Sequence, residues 1–350
     1  MAVIAHGFGH MTLPWFQSDQ FPLYLAPMAG YTDVVFRGIC KSHGADVMVS
    51  EFVLADNLLG DRPRVWETVD FTEEQRPMGV QIFGADPMVM GEAARRIEDR
   101  LHPDFIDLNY GCPSPRICNL QAGSSLLKDL PSLEKIASTV VRAIPNTPVT
   151  AKIRLGWDAE NVVAPEAARR LEGAGIQAIA VHGRTKVQGY QGAADWERIH
   201  EVTQAVQIPV IGNGSIADDG DLISLARQSG VRGLMIGRAA LGYPWIFREL
   251  RAAHEGIRLP PPAPAERWNT LLHYAEEAVR RPHLGPAGDR IHWMRPRLKF
   301  FTRHLRGGRR LRLALEQVNT MEELRILAAQ NLEEFGEISQ PQTGSITHVT

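Results

Sequence analysis

Phe105-Ile106-Asp107-Leu108-Asn109-Tyr110-Gly111-Cys112-Pro113 is an apolar run that ends in a polar residue, a glycine, a thiol and a proline. Phe105 to Leu108 can form a buried strand, Gly111 opens backbone conformations closed to other residues, and Pro113 stops the strand from continuing. The stretch therefore delivers Cys112 to a loop at the carboxyl end of a strand. Taken alone, the thiol also reads as a small core residue, because free cysteine is among the most buried residue types. The neighbouring runs decide between these two readings.

The same succession of short apolar run, polar turn and helical periodicity occurs eight times: Leu23 to Ala26, Val47 to Ser50, Gly79 to Ile82, Phe105 to Asn109, Val149 to Ile153, Ala178 to His182, Pro209 to Gly212 and Gly233 to Ile236. Near-continuous apolar runs separated by helices imply parallel strands buried on both faces, and eight such units close a (β/α)8 TIM barrel. A doubly wound open sheet is the alternative. It is disfavoured because no G-x-G-x-x-G follows the first run and the units are fairly evenly spaced. The unusual residues fall after the runs: Pro27-Met28, Gln81, Asn109 with Cys112, Lys152 with Arg154, His182 with Arg184, Asn213-Gly214 and Gly237-Arg238. Each alone has an ordinary explanation as a solvated charge, a core histidine or a turn. In a barrel they share one rim, where active sites are built, so together they argue for an enzyme.

Hydrophobic residues make up 44% of the 350 and charged residues 22%, the balance of a soluble globular chain rather than a disordered or membrane-bound one. The three cysteines are odd in number and lack zinc-site spacing, which points to a reducing compartment, the cytoplasm, and to no metal. No secretory signal pattern opens the chain, no run is long enough to span a bilayer, and nothing calls for an obligate protein partner.

The last two runs are followed by Asn213-Gly214-Ser215 and Gly237-Arg238-Ala239, glycine-rich backbone with a hydroxyl and a guanidinium. Loops after the seventh and eighth strands are the usual phosphate site of such barrels, so a phosphorylated cofactor is expected. Lys152 can set its ammonium against a ring that becomes anionic on reduction, and Gln81 offers donor and acceptor to a heterocycle edge. Flavin mononucleotide (FMN) meets both requirements. Beyond Leu259-Pro260-Pro261-Pro262-Ala263-Pro264, a stiff linker, the pattern turns wholly helical. Between Arg280 and Arg312 stand eleven arginines and lysines against Asp289 alone, interleaved with Trp293, Phe300 and Phe301. The ordinary reading is a solvated basic helix face, but so one-sided a run in a chain of net charge -2 favours a nucleic acid. The expected organisation is an N-terminal extension (1–22), a barrel (23–258), a helical domain (259–335) and a polar, disordered tail (336–350).

Four stretches together resemble the bacterial tRNA-dihydrouridine synthases: Leu25-Ala26-Pro27-Met28-Ala29-Gly30-Tyr31-Thr32-Asp33; Asn109-Tyr110-Gly111-Cys112-Pro113 leading to Ala122-Gly123-Ser124-Ser125-Leu126-Leu127; Lys152-Ile153-Arg154-Leu155-Gly156; and His182-Gly183-Arg184-Thr185 running to Gly189-Tyr190-Gln191-Gly192-Ala193-Ala194-Asp195-Trp196. The resemblance implies an FMN barrel with a helical tRNA-binding domain, reducing uridines in tRNA with NAD(P)H. It implies that Pro27, Met28, Ala29, Gln81, Lys152, His182, Asn213, Gly214, Ser215, Gly237 and Arg238 hold the flavin, and that Cys112 is the catalytic acid. Asn109 and Arg184 at the rim, with Arg295, Arg297 and Lys299 in the basic run, are the expected substrate contacts. Two positions depart from the family pattern: Ser215 stands where an acidic residue is common, and Arg116 where many members have lysine. The chemistry fits independently, because hydride addition at C6 of uracil leaves an enolate whose C5 needs a proton, and an ordinary thiol is protonated at neutral pH. A small-molecule pyrimidine oxidoreductase of the dihydroorotate dehydrogenase type, or a non-catalytic tRNA-binding module, would share parts of this pattern. The basic tail argues against the first, and the converging rim against the second.

Overall fold

Among the described residues nine parallel strands carry the fold: β1 (Leu23–Leu25), β2 (Val47–Val49), β3 (Val53–Leu54), β4 (Met78–Phe83), β5 (Phe105–Tyr110), β6 (Val149–Arg154), β7 (Ile179–His182), β8 (Val210–Asn213) and β9 (Gly233–Ile236). The computed structural model describes residues 13–17, 21–60, 62–215, 221–281, 284–285, 291–303 and 305–335. The strand order is β2-β1-β9-β8-β7-β6-β5-β4-β3, and a further pairing of β2 with β4 closes the ring. The expected eight-stranded (β/α)8 barrel is therefore present, made of β1, β2 and β4 to β9. β3 is an addition: β4 is three residues longer than β2, and Val53 and Leu54 pair with its upper end at Ile82 and Phe83. A two-residue strand carries no periodicity to read.

Four aspartates start the surrounding helices at their N-caps. Asp33 accepts from Val35 and Phe36 N–H, Asp86 from Met88 and Val89, Asp129 from Ser132, and Asp195 from Arg198. Each satisfies donors the first turn leaves open and fixes where the chain turns back from the rim. Among the described residues no helix is long and apolar enough to cross a membrane.

Side chains in adjacent strands at the same level share a face, so the register fixes what points inward. Gln81 lies opposite Asp107, Asp107 opposite Thr150, Asn109 opposite Lys152, Arg154 opposite His182, and His182 opposite Asn213. Below this polar layer the barrel is apolar, with Tyr24, Val47, Val49, Phe105, Ala180, Ile211 and Met235 in one buried cluster. Gly79 makes room for Phe105, whose ring would lie 2.2 Å from a Cβ there. Leu13, Trp15 and Phe16, from the segment read as an N-terminal extension, pack against this cluster, with the Trp15 and Phe105 rings 5.4 Å apart. A short 3-10 turn, Pro14–Phe16, thus closes the floor of the barrel.

The chain divides into two compact units, one extending to Ala240 and including Pro244–Arg258, the other formed by Leu241–Tyr243 and the residues from Leu259 on. The second unit contains helices Pro264–Val279, Arg295–Phe301, Gly308–Leu315 and Met321–Phe335. Its core includes the fully buried Trp268, whose indole N–H donates to Asn331. The tail from 336 on, read as disordered, lies outside the described residues.

Candidate active site

Pro27, Met28 and Ala29 follow β1 in a turn tied by the buried Thr32. Its hydroxyl accepts from Met28 N–H at 2.9 Å and donates to Met28 O at 3.2 Å, while Glu51 accepts from Gly30 N–H at 2.7 Å.

Cys112 sits in a loop held from three sides. Asn109 Oδ1 accepts from the N–H groups of Gly111 (3.1 Å) and Cys112 (2.9 Å). Ser124 donates to the Cys112 carbonyl from its N–H at 3.1 Å and its hydroxyl at 2.8 Å. Arg154, 2% exposed, donates to Gly111 O, Thr185 O and Gly189 O, each at 2.9 Å, and so binds the cysteine loop to the loop after β7. Gly123 adopts φ +61° beneath the cysteine, where a Cβ would lie 2.8 Å from Ile117 and 3.0 Å from the Cys112 carbonyl. The thiol packs on Phe83, Ile117 and Ala122. Burial pushes Cys112 above the usual thiol range, outweighing the Ser114 backbone hydrogen bond and then Arg154 and Lys152, which pull the other way. It is therefore a protonated thiol at neutral pH.

Deeper in the barrel, Gln81 is fully buried. Its Nε2 donates to Asp107 at 2.6 Å and its Oε1 accepts from Asn109 Nδ2 at 2.8 Å. Thr150 donates to the other Asp107 oxygen at 2.6 Å. Burial raises the Asp107 pKa against these two donors. Across the barrel, Lys152 Nζ donates to Asn213 Oδ1 at 3.2 Å, and Asn213 Nδ2 donates to Met235 O at 2.6 Å, which fixes the amide's orientation. Burial first, and Arg154 second, hold Lys152 down to about 8.

His182 is buried, and its pKa is driven far below the usual histidine range by burial and then by Lys152, Arg154, Arg184 and Arg238. The neutral ring lies with Nε2 3.2 Å from Arg184, which can only donate. Nε2 is thus the acceptor, and Nδ1 carries the proton with no protein partner among the described residues. Arg184 itself is buried: it donates to Gly192 O at 2.7 Å and to Ser215 Oγ at 2.8 Å, and Ser215 Oγ also accepts from Ala194 N–H at 2.7 Å. Gly214 adopts φ +118°, where a Cβ would lie 2.8 Å from both Ala194 and His182. Gly237 follows β9 beside Met28, and the exposed Arg238 stacks over Tyr190, its Cζ 3.9 Å from the ring centroid.

The barrel thus gathers all of the expected cofactor residues with Asn109, Arg184 and Cys112 around one rim. Arg184 is a brace between loops rather than a surface contact. Arg295, Arg297 and Lys299 lie in the second unit. Arg295 donates to Val318 O and Asn319, Arg297 stacks on Trp293, and Lys299 pairs with Glu316 at 2.6 Å. Glutamates outside the basic run fold onto it, Glu277 on Arg280 and Glu334 on Arg310, so its charge is less one-sided than the linear sequence. Asp107, Ser124 and Tyr190 were not singled out as site residues. Asp107 has a signal, two positions before Asn109 on one strand face; Ser124 and Tyr190 stand in the stretches that carry the family resemblance, but only the fold shows what they touch.

The family model described as Dihydrouridine synthase (Dus) matches residues 24–337. The chain belongs to the dihydrouridine synthase family. It is 44% identical over 276 residues to tRNA-dihydrouridine synthase B of Xanthomonas campestris, covering 76% of this chain and 80% of that one. It is 35% identical over 322 residues to a probable tRNA-dihydrouridine synthase of Mycobacterium tuberculosis, covering 87% and 80%. Among solved structures, histamine dehydrogenase from Rhizobium sp. 4-9 shares the barrel fold with a TM-score of 0.52 at 14% identity, covering 77% of this chain and 50% of that one. In this family member the protonated thiol, the amide pair and the cation cluster occupy one rim.

Proposed function

We propose that this chain reduces particular uridines of tRNA to dihydrouridine in the cytoplasm, with FMN as hydride carrier, NAD(P)H as the reductant and Cys112 as proton donor. The observation that carries the reading is Cys112: a half-buried thiol kept protonated by its apolar bed, on a loop clamped by Asn109, Ser124 and Arg154. The donor set around it suits a flavin phosphate. Burial first, and then four cations, Lys152, Arg154, Arg184 and Arg238, depress His182, and four cations gathered around one neutral ring suit an anion. Gly214, Ser215, Gly237, Arg238 and the His182 Nδ1–H would hold the phosphate end, and Pro27, Met28, Ala29, Gln81, Lys152 and Asn213 the ring.

When bound, the flavin supplies the hydride that adds to C6 of uracil. Cys112 holds the proton that C5 then takes, and Lys152 and Arg154 stabilise the thiolate left behind until solvent reprotonates it. Asn109 keeps one amide hydrogen for the uracil edge. The base must leave its stack to reach Cys112. Residues 23–258 form the catalytic unit and 259–335 the tRNA-binding unit. Its contacts fall to Arg303, Arg309 and Arg312, exposed and without carboxylate partners among the described residues, while Arg295 and Lys299 shape the surface.

The test is to incubate purified protein with unmodified tRNA and NADPH. The reading expects a yellow protein that releases FMN on denaturation and leaves dihydrouridine in the tRNA by mass spectrometry. A colourless protein that only binds tRNA overturns it.

A further inference from the structure

Asp107 takes no part in the chemistry above, yet it is a carboxylate only 3% exposed in the middle of the barrel. Both its oxygens are met by donors, Thr150 Oγ1 on one and Gln81 Nε2 on the other, each at 2.6 Å. A carboxylate accepts and cannot donate, so Gln81 must turn its Nε2 toward Asp107 and its Oε1 away. Oε1 then accepts from Asn109 Nδ2 at 2.8 Å, and this turns Asn109 Oδ1 onto the N–H groups of Gly111 and Cys112 at 3.1 and 2.9 Å. The register makes the chain possible: Gln81 is level with Asp107 across β4 and β5, and Asn109 is the next inward residue above it.

We propose that Asp107 is a positioning residue for the reaction, its carboxylate setting the polarity of the Gln81 and Asn109 amides and so holding the Cys112 loop in one orientation. The opposite polarity fails at every link. With Gln81 reversed, its Nε2 faces Asn109 Nδ2. If Asn109 reverses in response, its Nδ2 faces two backbone donors. In a buried network each such contact leaves groups unpaired where water cannot replace the lost partner. An amide at position 107 removes the commitment at this end, because it presents a donor or an acceptor equally well, and leaves the two backbone N–H groups alone to hold the Asn109 amide. A strictly accepting group at position 81 restores it, because it takes donors from both sides.

The test is alkylation of Cys112 by iodoacetamide in the full-length protein, read peptide by peptide so that Cys40 and Cys118 are resolved, with tRNA turnover measured beside it. In Asp107→Asn the Cys112 rate should change by about tenfold, the equivalent of one buried hydrogen bond. In the same variant kcat should fall by a similar factor, while KM for tRNA stays within about twofold. The exchange Asp107→Asn/Gln81→Glu should return alkylation to within about twofold of the parent. Thr150→Val removes a donor from Asp107 but leaves the acceptor that sets polarity, and should alkylate as the parent does. Parent-like alkylation in Asp107→Asn, no recovery in the exchange, or an equal shift in Thr150→Val would each overturn the proposal. The catalytic role rests on the reductase reading above. The alkylation readout needs neither flavin nor tRNA, so failure of that reading and failure of this one give different results.

Discussion

Arg154→Met removes a guanidinium while keeping most of the stem that fills its space. Three hydrogen bonds disappear, to Gly111 O, Thr185 O and Gly189 O, all at 2.9 Å. Charge-assisted bonds of this kind contribute about 1.5–3 kcal/mol each, so the gross loss is about 5–9 kcal/mol. Against it stands the cost of burying the guanidinium, large enough to lower its pKa and several kcal/mol for an interior charge. The bonds outweigh the burial because losing the guanidinium leaves three carbonyls without their side-chain donor, and the net destabilisation should be about 3 kcal/mol. With a urea slope of about 3 kcal/mol/M for a unit this large, the unfolding midpoint of the barrel should drop by about 1 M. Dihydrouridine formation should fall as well, because Gly111 is the residue before the thiol. Arg154→Lys, which can reach one carbonyl at a time, should fall between the two. A midpoint for Arg154→Met within about 0.2 M of the parent would refute the view that this arginine clamps the cysteine loop.

Trp15→Ala should destabilise the barrel by about 2 kcal/mol, read as a urea midpoint, and leave dihydrouridine yield per folded molecule unchanged; an unaltered midpoint would remove the floor role of Leu13 to Phe16. Lys152 is held down to about 8 from 10.5, so between those values the unfolded chain binds a proton the folded chain has lost. Stability of the flavin-free protein should therefore rise from about pH 8 to about pH 10.5, and Lys152→Met should lack that part of the rise; identical slopes would contradict the shift. Gly214→Ala forces a Cβ to 2.8 Å from Ala194 and His182 at a φ of +118°. FMN affinity, followed by flavin fluorescence, should weaken by about tenfold or more, and unchanged affinity would separate this loop from the cofactor.

The strands were legible because buried parallel strands announce themselves as unbroken apolar runs. β3 was not, since Val53–Leu54 exists only to pair the free upper end of β4. Leu13 to Phe16 read as part of an N-terminal extension because a three-residue turn begun by a proline has no period, and its apolar side chains gain meaning only against Phe105. Position in the barrel exposed the rim residues, whatever their later roles. What each does was less visible. Arg184 looks like a surface charge in sequence, yet it is buried against His182, Gly192 and Ser215, because backbone carbonyls from a loop seven to eight residues on give it partners. The direction of the Gln81 and Asn109 amides is likewise set across strands, by Asp107, and no single stretch contains it. The basic run misled in the same way: Glu334 meets Arg310 only when the last helix packs back.

The most direct measurement pairs the two half-reactions in one variant, Cys112→Ala. The purified protein should retain its flavin and still be bleached by NADPH at the parental rate, because the thiol takes no part in that step. It should then form no dihydrouridine in tRNA, because C5 has lost its proton donor. Parental dihydrouridine formation by Cys112→Ala would contradict the assignment of the proton to this thiol.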